Sequence, residues 1–192
     1  MTQHAALFWL SLVSAGTLCL GNPLVTAPAR AVEFADGRVA FVRSPRLLDA
    51  WATFRGIRVR NVKYYFTVAV PADAGEPLQT VTFAQKPNLE TIEFLLEDTL
   101  AYTGPSRRRG EAVEIASVTQ VEGGEIAVTL ARPLEPGTTV TVGLVARRNP
   151  RYGGIYLFRV GALPRGEKPL ELSLGNGRLT FVDDNFGRFG RY

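Results

Sequence analysis

The sequence contains very little of the side-chain chemistry on which many enzymes and metal sites depend. Its 192 residues include one cysteine, one histidine and one methionine. All three lie near the amino terminus, as Cys19, His4 and Met1. Beyond Cys19 the residue types present exclude a Cys/His zinc site, a copper site using His, Cys or Met, a thiolate nucleophile and a Ser-His-Asp triad. They also exclude a disulfide.

The segment that holds these three residues has the pattern of a secretory signal peptide. Ala5 to Leu20 is a mostly apolar run, shorter than the about 20 apolar residues that span a bilayer. Ala29-Arg30-Ala31 follows, and it has the A-x-A form of a signal peptidase site. We therefore predict a cleaved signal peptide over residues 1–31 and an exported chain of residues 32–192. An uncleaved anchor and a buried amino-terminal helix are the alternatives.

Charge limits the range of partners. The chain has 22 basic and 18 acidic residues, and loss of Arg30 with the signal lowers the formal net charge from +4 to +3. So small a charge gives no reason to expect nucleic-acid binding. Most of the basic residues are arginine, which contacts phosphate and carboxylate in a bidentate manner. The sequence leaves two interpretations of these arginines open: a surface that binds anions, and an ordinary solvated surface.

The remaining sequence alternates between apolar and polar residues, with a turn signal about every ten residues. This pattern predicts an all-β fold: a β-sandwich, immunoglobulin-like or similar, with about 7–9 short strands and at most one short helix. Residues 32–192 are predicted to form a single domain with a loose carboxyl-terminal tail. The predicted strands lie within 32–42 (a hairpin around Asp36-Gly37), 64–70, 78–83, 112–120, 125–130, 138–146, 155–160 and 177–182.

Two segments have mixed signals. Ser44 to Gly56 carries large apolar residues at helical spacing, which predicts one or two helical turns. Glu90 to Tyr102 alternates like a strand but is rich in the helix-favouring residues Leu and Glu. For this second segment we predict a strand that runs into a loop.

Two arginine-rich stretches supply the candidate binding residues. One surrounds the turn residues Asn149-Pro150 and Gly153-Gly154, and the other is Ser106 to Gly110. Arginine offers a fork for anions and tyrosine a stacking face, whereas turn chemistry and a solvated loop explain the same residues without a ligand. Whether the two stretches form one patch is open. The candidate binding residues are Arg147, Arg148, Arg151, Tyr152, Arg107, Arg108 and Arg109.

Four segments, 64–78, 136–142, 149–158 and 177–181, give the chain a family resemblance. In their order they resemble a cyanobacterial family of small secreted proteins described only as a domain of unknown function. The resemblance implies a cyanobacterial source and an exported protein in the periplasm, the cell envelope or the thylakoid lumen. It implies no activity and no catalytic residue. Residues 136–142 are also similar to the start of a strand in many immunoglobulin-like sandwiches.

We predict from these features a non-enzymatic binding or scaffolding domain. Its partner would be an anionic glycan or an envelope protein, contacted through an arginine-rich loop, and peripheral membrane contact is open. No catalytic residue, metal ligand or cofactor is assigned. One alternative is a glycan hydrolase that uses a pair of carboxylates. Another is a structural subunit of a larger envelope complex. The carboxylates considered are Glu93, Glu97 and Asp98, or Asp183 and Asp184.

Overall fold

The structure, a computed structural model, describes residues 32–33, 37–121 and 123–183. These ranges hold β-strands and no helix, which confirms the predicted all-β fold. The predicted signal peptide and the predicted loose tail from Asn185 to Tyr192 lie outside the described residues. The strands are β1 (Val32–Glu33), β2 (Val39–Ala40), β3 (Arg46–Ala52), β4 (Arg60–Ala69), β5 (Leu78–Gln85), β6 (Phe94–Thr103), β7 (Ile115–Gln120), β8 (Ile126–Leu134), β9 (Thr139–Arg148), β10 (Gly154–Pro164) and β11 (Leu172–Phe181).

Nine of the strands form two antiparallel sheets, which confirms the predicted β-sandwich. The larger sheet has the order β11-β10-β5-β8-β7 and the smaller has the order β3-β4-β9-β6. β1 pairs with β2 as the predicted hairpin requires, although Asp36 of its turn lies outside the described residues. β7 and β8, which lie within the predicted strands 112–120 and 125–130 apart from the last residues of β8, also pair with each other as a hairpin.

Period-two alternation along the central strands accounts for the core. In β4 every second side chain, Val62, Tyr64, Phe66 and Val68, is fully buried with 0% exposure. The inward side chains of β10 face them from the other sheet, and the rings of Phe66 and Phe158 lie 5.7 Å apart in an edge-to-face arrangement. The same alternation places polar side chains outside, so the strands of both sheets contribute to one apolar core.

The helical turns predicted between Ser44 and Gly56 are wrong, because β3 occupies this segment. β3 pairs with β4, and a bulge between Leu47 and Asp49 interrupts its alternation, which explains why its apolar residues follow a helical spacing in the sequence. Trp51 stacks on Tyr65 at 5.2 Å between ring centroids. Strand pairing and ring stacking across the sheet outweigh the weak tendency of so short a segment to form a helix. The strand predicted between Glu90 and Tyr102 is confirmed as β6, but the loop predicted to follow it within this segment is wrong, because β6 continues to Thr103 past an irregularity in its pairing between Leu95 and Leu100.

Because the strands pair antiparallel, each connection between strands lies at one of the two ends of the sandwich. The connections after β3, β5 and β9 meet at one end. We call this end the arginine pole and define it by residues 53–61, 86–93 and 147–153. The connection after β6 lies at the opposite end, because Thr103 at the end of β6 pairs with Val140 at the start of β9.

Candidate functional site

The structure separates the two arginine-rich stretches. Arg147 and Arg148 end β9, and Arg151 and Tyr152 lie in the turn that follows, at the arginine pole. Arg107 to Arg109 follow Gly104, whose N–H donates to the Thr139 carbonyl at the start of β9 over 2.8 Å. Gly104 therefore lies at the far end of β9 from Arg148, but Arg107 reaches back over Trp51 and lines a second cleft together with Arg55 of the arginine pole. The two stretches line different clefts.

The arginines between Ser106 and Gly110 pack on an aromatic row. Trp51, Tyr65 and Tyr102 contact one another on the outer face of the smaller sheet. The guanidinium of Arg107 lies over the Trp51 ring at 5.6 Å, and that of Arg109 lies over the Tyr102 ring at 5.3 Å. Two of the three arginines are therefore already engaged in cation–π contacts, and these contacts hold the loop on the sheet.

Arg107→Ala is therefore expected to act mainly on structure. It should lower the free energy of unfolding by about 0.5–1 kcal/mol, the usual contribution of an exposed cation–π pair. It should also change the emission of Trp51, which loses the cation above its ring. Urea unfolding and tryptophan fluorescence measure both effects, and Arg108→Ala is the matched control because no ring lies under its side chain in the described part of the chain. Equal behaviour of the two variants would contradict the assignment.

At the arginine pole a cleft of about 450 Å³ brings together side chains from three segments. Arg60 begins β4 and pairs directly opposite Arg148 of β9. Two like charges on directly opposite residues repel each other, so this arrangement is unfavourable without an anion between or beside them. We call this cleft the arginine cleft. Its lining comprises Arg60, Asn61, Glu90, Thr91, Ile92, Glu93, Leu95, Arg147, Arg148, Asn149, Pro150 and Arg151.

The two carboxylates of the arginine cleft already have partners. Glu93 forms an ion pair with Arg147 at 3.3 Å. Glu90 Oε1 accepts the backbone N–H groups of Arg151 and Tyr152. In the described ranges no carboxylate lies at ion-pair distance from the side chains of Arg60, Arg148 or Arg151. The cleft therefore presents three arginines without an ion-pair partner in the described chain, beside two carboxylates that are engaged by other groups.

Asn149 holds the turn that carries these arginines. Its side chain is 1% exposed. The Nδ2 group donates to the carbonyls of Phe54 at 3.0 Å and Gly56 at 2.7 Å, and Oδ1 accepts from the Tyr64 hydroxyl at 2.8 Å. Burial raises the pKa of the Tyr64 phenol well above its ordinary value, and Tyr156 and Glu90 raise it further. The phenol thus remains a proton donor to Asn149 at any physiological pH.

The backbone beside Arg60 adopts an uncommon conformation. Arg58 has φ of 60° and Asn61 has φ of 54°, values that are infrequent for residues other than glycine. The Arg58 N–H donates to the Pro150 carbonyl at 3.0 Å, and the Asn149 N–H donates to the Val59 carbonyl at 2.7 Å. These bonds join the two segments that carry the arginines. Left-handed residues held in this way at a concave site are a common mark of function.

Sequence reasoning found Arg147, Arg148 and Arg151 but missed Arg60. The available signal was the series of charged residues before the apolar part of β4, Arg58, Arg60 and Lys63. Of the carboxylates considered for hydrolysis, Glu93 lines the arginine cleft, whereas Glu97 and Asp98 are exposed in β6. Asp184 lies outside the described residues.

A metal-binding cluster and a membrane-spanning helix are both absent from the residues that the structure describes. No group of three or more His, Cys, Asp or Glu side chains there is placed to hold a metal ion. No helix among those residues has the length and hydropathy needed to cross a membrane.

Solved structures that are similar to this chain include three domains of bacterial surface proteins. One is the collagen-binding subdomain of the Enterococcus faecalis surface protein ACE, at a TM-score of 0.46 and 8% identity, covering 73% of this chain and 99% of that chain. Another is a C-terminal fragment of the major pilin of Streptococcus agalactiae, at 0.48 and 6%, covering 73% and 57%. The third is the collagen-binding domain of a Staphylococcus aureus adhesin, at 0.38 and 7%, covering 71% and 98%. With identities this low, function must be argued from this chain's own residues.

Sequence comparison identifies the family directly. No curated protein sequence matches the chain. The profile of one family, described as "Protein of unknown function (DUF2808)", matches residues 38–181. This range begins just before β2 and ends with β11, so it includes both sheets and the arginine cleft. The predicted resemblance to a domain of unknown function is thereby confirmed, and the chain belongs to the DUF2808 family.

Proposed function

We propose that this chain is a non-enzymatic binding module of the cell envelope or the thylakoid lumen. Its arginine cleft takes up phosphate, sulfate or carboxylate groups of an anionic glycan or glycolipid. The observation that carries the proposal is the direct pairing of Arg60 with Arg148, with Arg151 nearby and no acidic partner in the described chain. A bound anion would accept charge-assisted hydrogen bonds from these guanidinium groups and remove their mutual repulsion.

The fixed geometry of the cleft supports the same function. Asn149 and Glu90 hold the turn of Arg151 from two sides, by a buried amide and by a carboxylate on the backbone N–H groups. A site whose backbone is already ordered loses little entropy when the ligand binds. Tyr152, which is exposed beside the cleft, adds an aromatic face on which a sugar ring can stack.

Binding to heparin, a sulfated polysaccharide, tests the proposal. Replacing both Arg60 and Arg148 by alanine should raise the Kd at least about tenfold, because two charge-assisted contacts are lost. Affinity of the unchanged chain should fall as salt rises, since the contacts are electrostatic and solvent-accessible. Titration calorimetry at two salt concentrations measures both effects.

The matched control removes the same charge elsewhere. The double variant R108A/R132A loses two exposed arginines that do not line the cleft, and its Kd should stay within about twofold of the unchanged chain. If both double variants lost affinity equally, the chain would be responding to net charge and the cleft would not be the site. Absence of any salt-sensitive binding to heparin or to lipopolysaccharide would reject the proposed function.

One observation bears on the hydrolase alternative. Glu90 and Glu93 line the same cleft, as a two-carboxylate mechanism requires. Each is already engaged, Glu93 by Arg147 and Glu90 by two backbone N–H groups. A glycosidase needs one carboxyl group free to protonate the leaving oxygen and the other free to attack or to activate water. Release of reducing ends that disappears in Glu93→Gln would favour the hydrolase over the binding module.

The scaffold alternative depends on a protein partner. An acidic protein surface would use the same arginines, but it would form a complex that survives purification. Recovery of one stable partner from solubilised membranes, lost in R60A/R148A and retained in R108A/R132A, would favour a structural subunit over a glycan-binding module.

A further inference from the structure

Large apolar side chains are exposed around the arginine cleft. Among the described residues nine such side chains are exposed, and five of them belong to the segments at this end of the sandwich. Phe54 is 63% exposed and Leu89 is 75% exposed. Single exposed apolar residues are ordinary, but a group of them at one end marks an interaction surface. The five are Phe54, Leu89, Tyr152, Ile155 and Val182.

Hydrogen bonds place these residues together. The Phe54 carbonyl accepts from the Asn149 side chain, next to the turn of Tyr152. The Val182 N–H donates to the Arg55 carbonyl at 2.8 Å, beside Phe54. The Asn88 amide donates to the Ile155 carbonyl at 2.8 Å, which brings the segment of Leu89 against the start of β10. Four separate parts of the chain thus hold apolar side chains at one end.

Arginines lie among the same segments. Arg55 follows Phe54, Arg151 precedes Tyr152, and Glu90 beside Leu89 is occupied by backbone N–H groups. The surface therefore combines cations that have no ion-pair partner among the described residues with exposed apolar and amphipathic side chains. This combination fits the interface of an anionic bilayer, where guanidinium groups meet phosphates and aromatic or aliphatic side chains enter the acyl boundary.

We propose that the arginine pole docks on an anionic lipid surface. The arginine cleft contacts lipid or glycolipid phosphates, and Phe54, Leu89 and their neighbours enter the interface. The inference rests on the proposed function in that the cleft supplies the cations. It goes further because the exposed apolar side chains other than Tyr152 have no role in binding a soluble polysaccharide, whereas in a bilayer their removal from water adds to the affinity.

Vesicle binding tests the inference. Co-sedimentation of the full chain is compared between phosphatidylcholine vesicles and phosphatidylcholine vesicles with roughly one third phosphatidylglycerol. The anionic vesicles should bind at least about tenfold more tightly. The double variant F54S/L89S should lose about tenfold in affinity for them, because two apolar tips no longer enter the interface. Residues 1–31 are common to all variants, so a difference between variants reports on the arginine pole.

The controls separate this inference from the proposed function. V42S/L48S removes two exposed apolar side chains from other segments and should bind vesicles like the unchanged chain. F54S/L89S should keep its heparin affinity, because neither residue lines the cleft. Two results would overturn the lipid inference and leave the proposed function intact. In the first, the chain binds heparin but shows no preference for anionic vesicles. In the second, it binds heparin but F54S/L89S binds anionic vesicles as tightly as the unchanged chain. Failure to bind heparin would count against the proposed function instead.

Discussion

Replacing Asn149 by alanine is expected to lower the free energy of unfolding by about 4 kcal/mol. The substitution leaves the carbonyls of Phe54 and Gly56 without their donor and the buried Tyr64 hydroxyl without its acceptor. Each buried polar group left without a partner costs about 1–3 kcal/mol. Urea unfolding followed by circular dichroism measures the change.

Asn88 offers a matched control for Asn149. Its side chain also makes two hydrogen bonds to backbone, with Ile155 and Leu89, but at an exposed position where water replaces them. Asn88→Ala should therefore cost less than about 1 kcal/mol. The Asn149 variant should also bind heparin weakly under conditions in which it is still folded, because the turn of Arg151 loses its anchor. A cost equal to that of Asn88→Ala would show that Asn149 does not hold the turn.

Replacing Gly177 by valine is expected to cost about 3 kcal/mol of stability. Gly177 is buried in β11, where this strand passes β3 of the other sheet. A Cβ atom at this position would lie 2.8 Å from Phe66 Cε1 and 2.9 Å from Ala50 Cβ. Phe66 is fully buried among other rings, so it has no free space into which to move. The sheets would have to separate at this edge.

Arg178→Val controls for the change of residue type within the same strand. Arg178 is exposed and follows Gly177 directly, so its side chain points away from the core. This variant should unfold within about 0.5 kcal/mol of the unchanged chain. Thermal unfolding of the two variants side by side measures the difference. A Gly177→Val protein as stable as Arg178→Val would mean that the core near Phe66 can expand.

The strands that could be predicted from the sequence are those in which apolar and polar residues alternate without interruption. β4 and β9 each carry apolar residues at every second position, and both were recognised. β3 was not, because its bulge produces a helical spacing and its pairing partner supplies the information that decides its structure. β11 was recognised only in its second half, since its first residues pair with β10 around a further irregularity.

The candidate site was predictable only in part. Arg147, Arg148 and Arg151 stand out because they cluster in the chain, whereas Arg60 joins them only through the register between β4 and β9. The sequence predicts only a turn at Asn149, yet its buried side chain joins the turn after β9 to the segment of Phe54 and Gly56. Arg107 to Arg109 look equivalent to the other cluster in the sequence. The direction of β9, which separates the two clusters, is a property of the assembled sheet.

The hydrogen bonds of Asn149 also bear on how the protein folds. They join Asn149 to Tyr64, which lies 85 positions earlier in the chain, and to Phe54, which lies 95 positions earlier. Contacts between such distant residues give the fold a high contact order, and domains of this type fold in milliseconds to seconds. A nascent chain that ends before β9 lacks Asn149, Arg148 and the partner strand of β4. The cleft therefore comes into existence only after almost the whole domain has been synthesised.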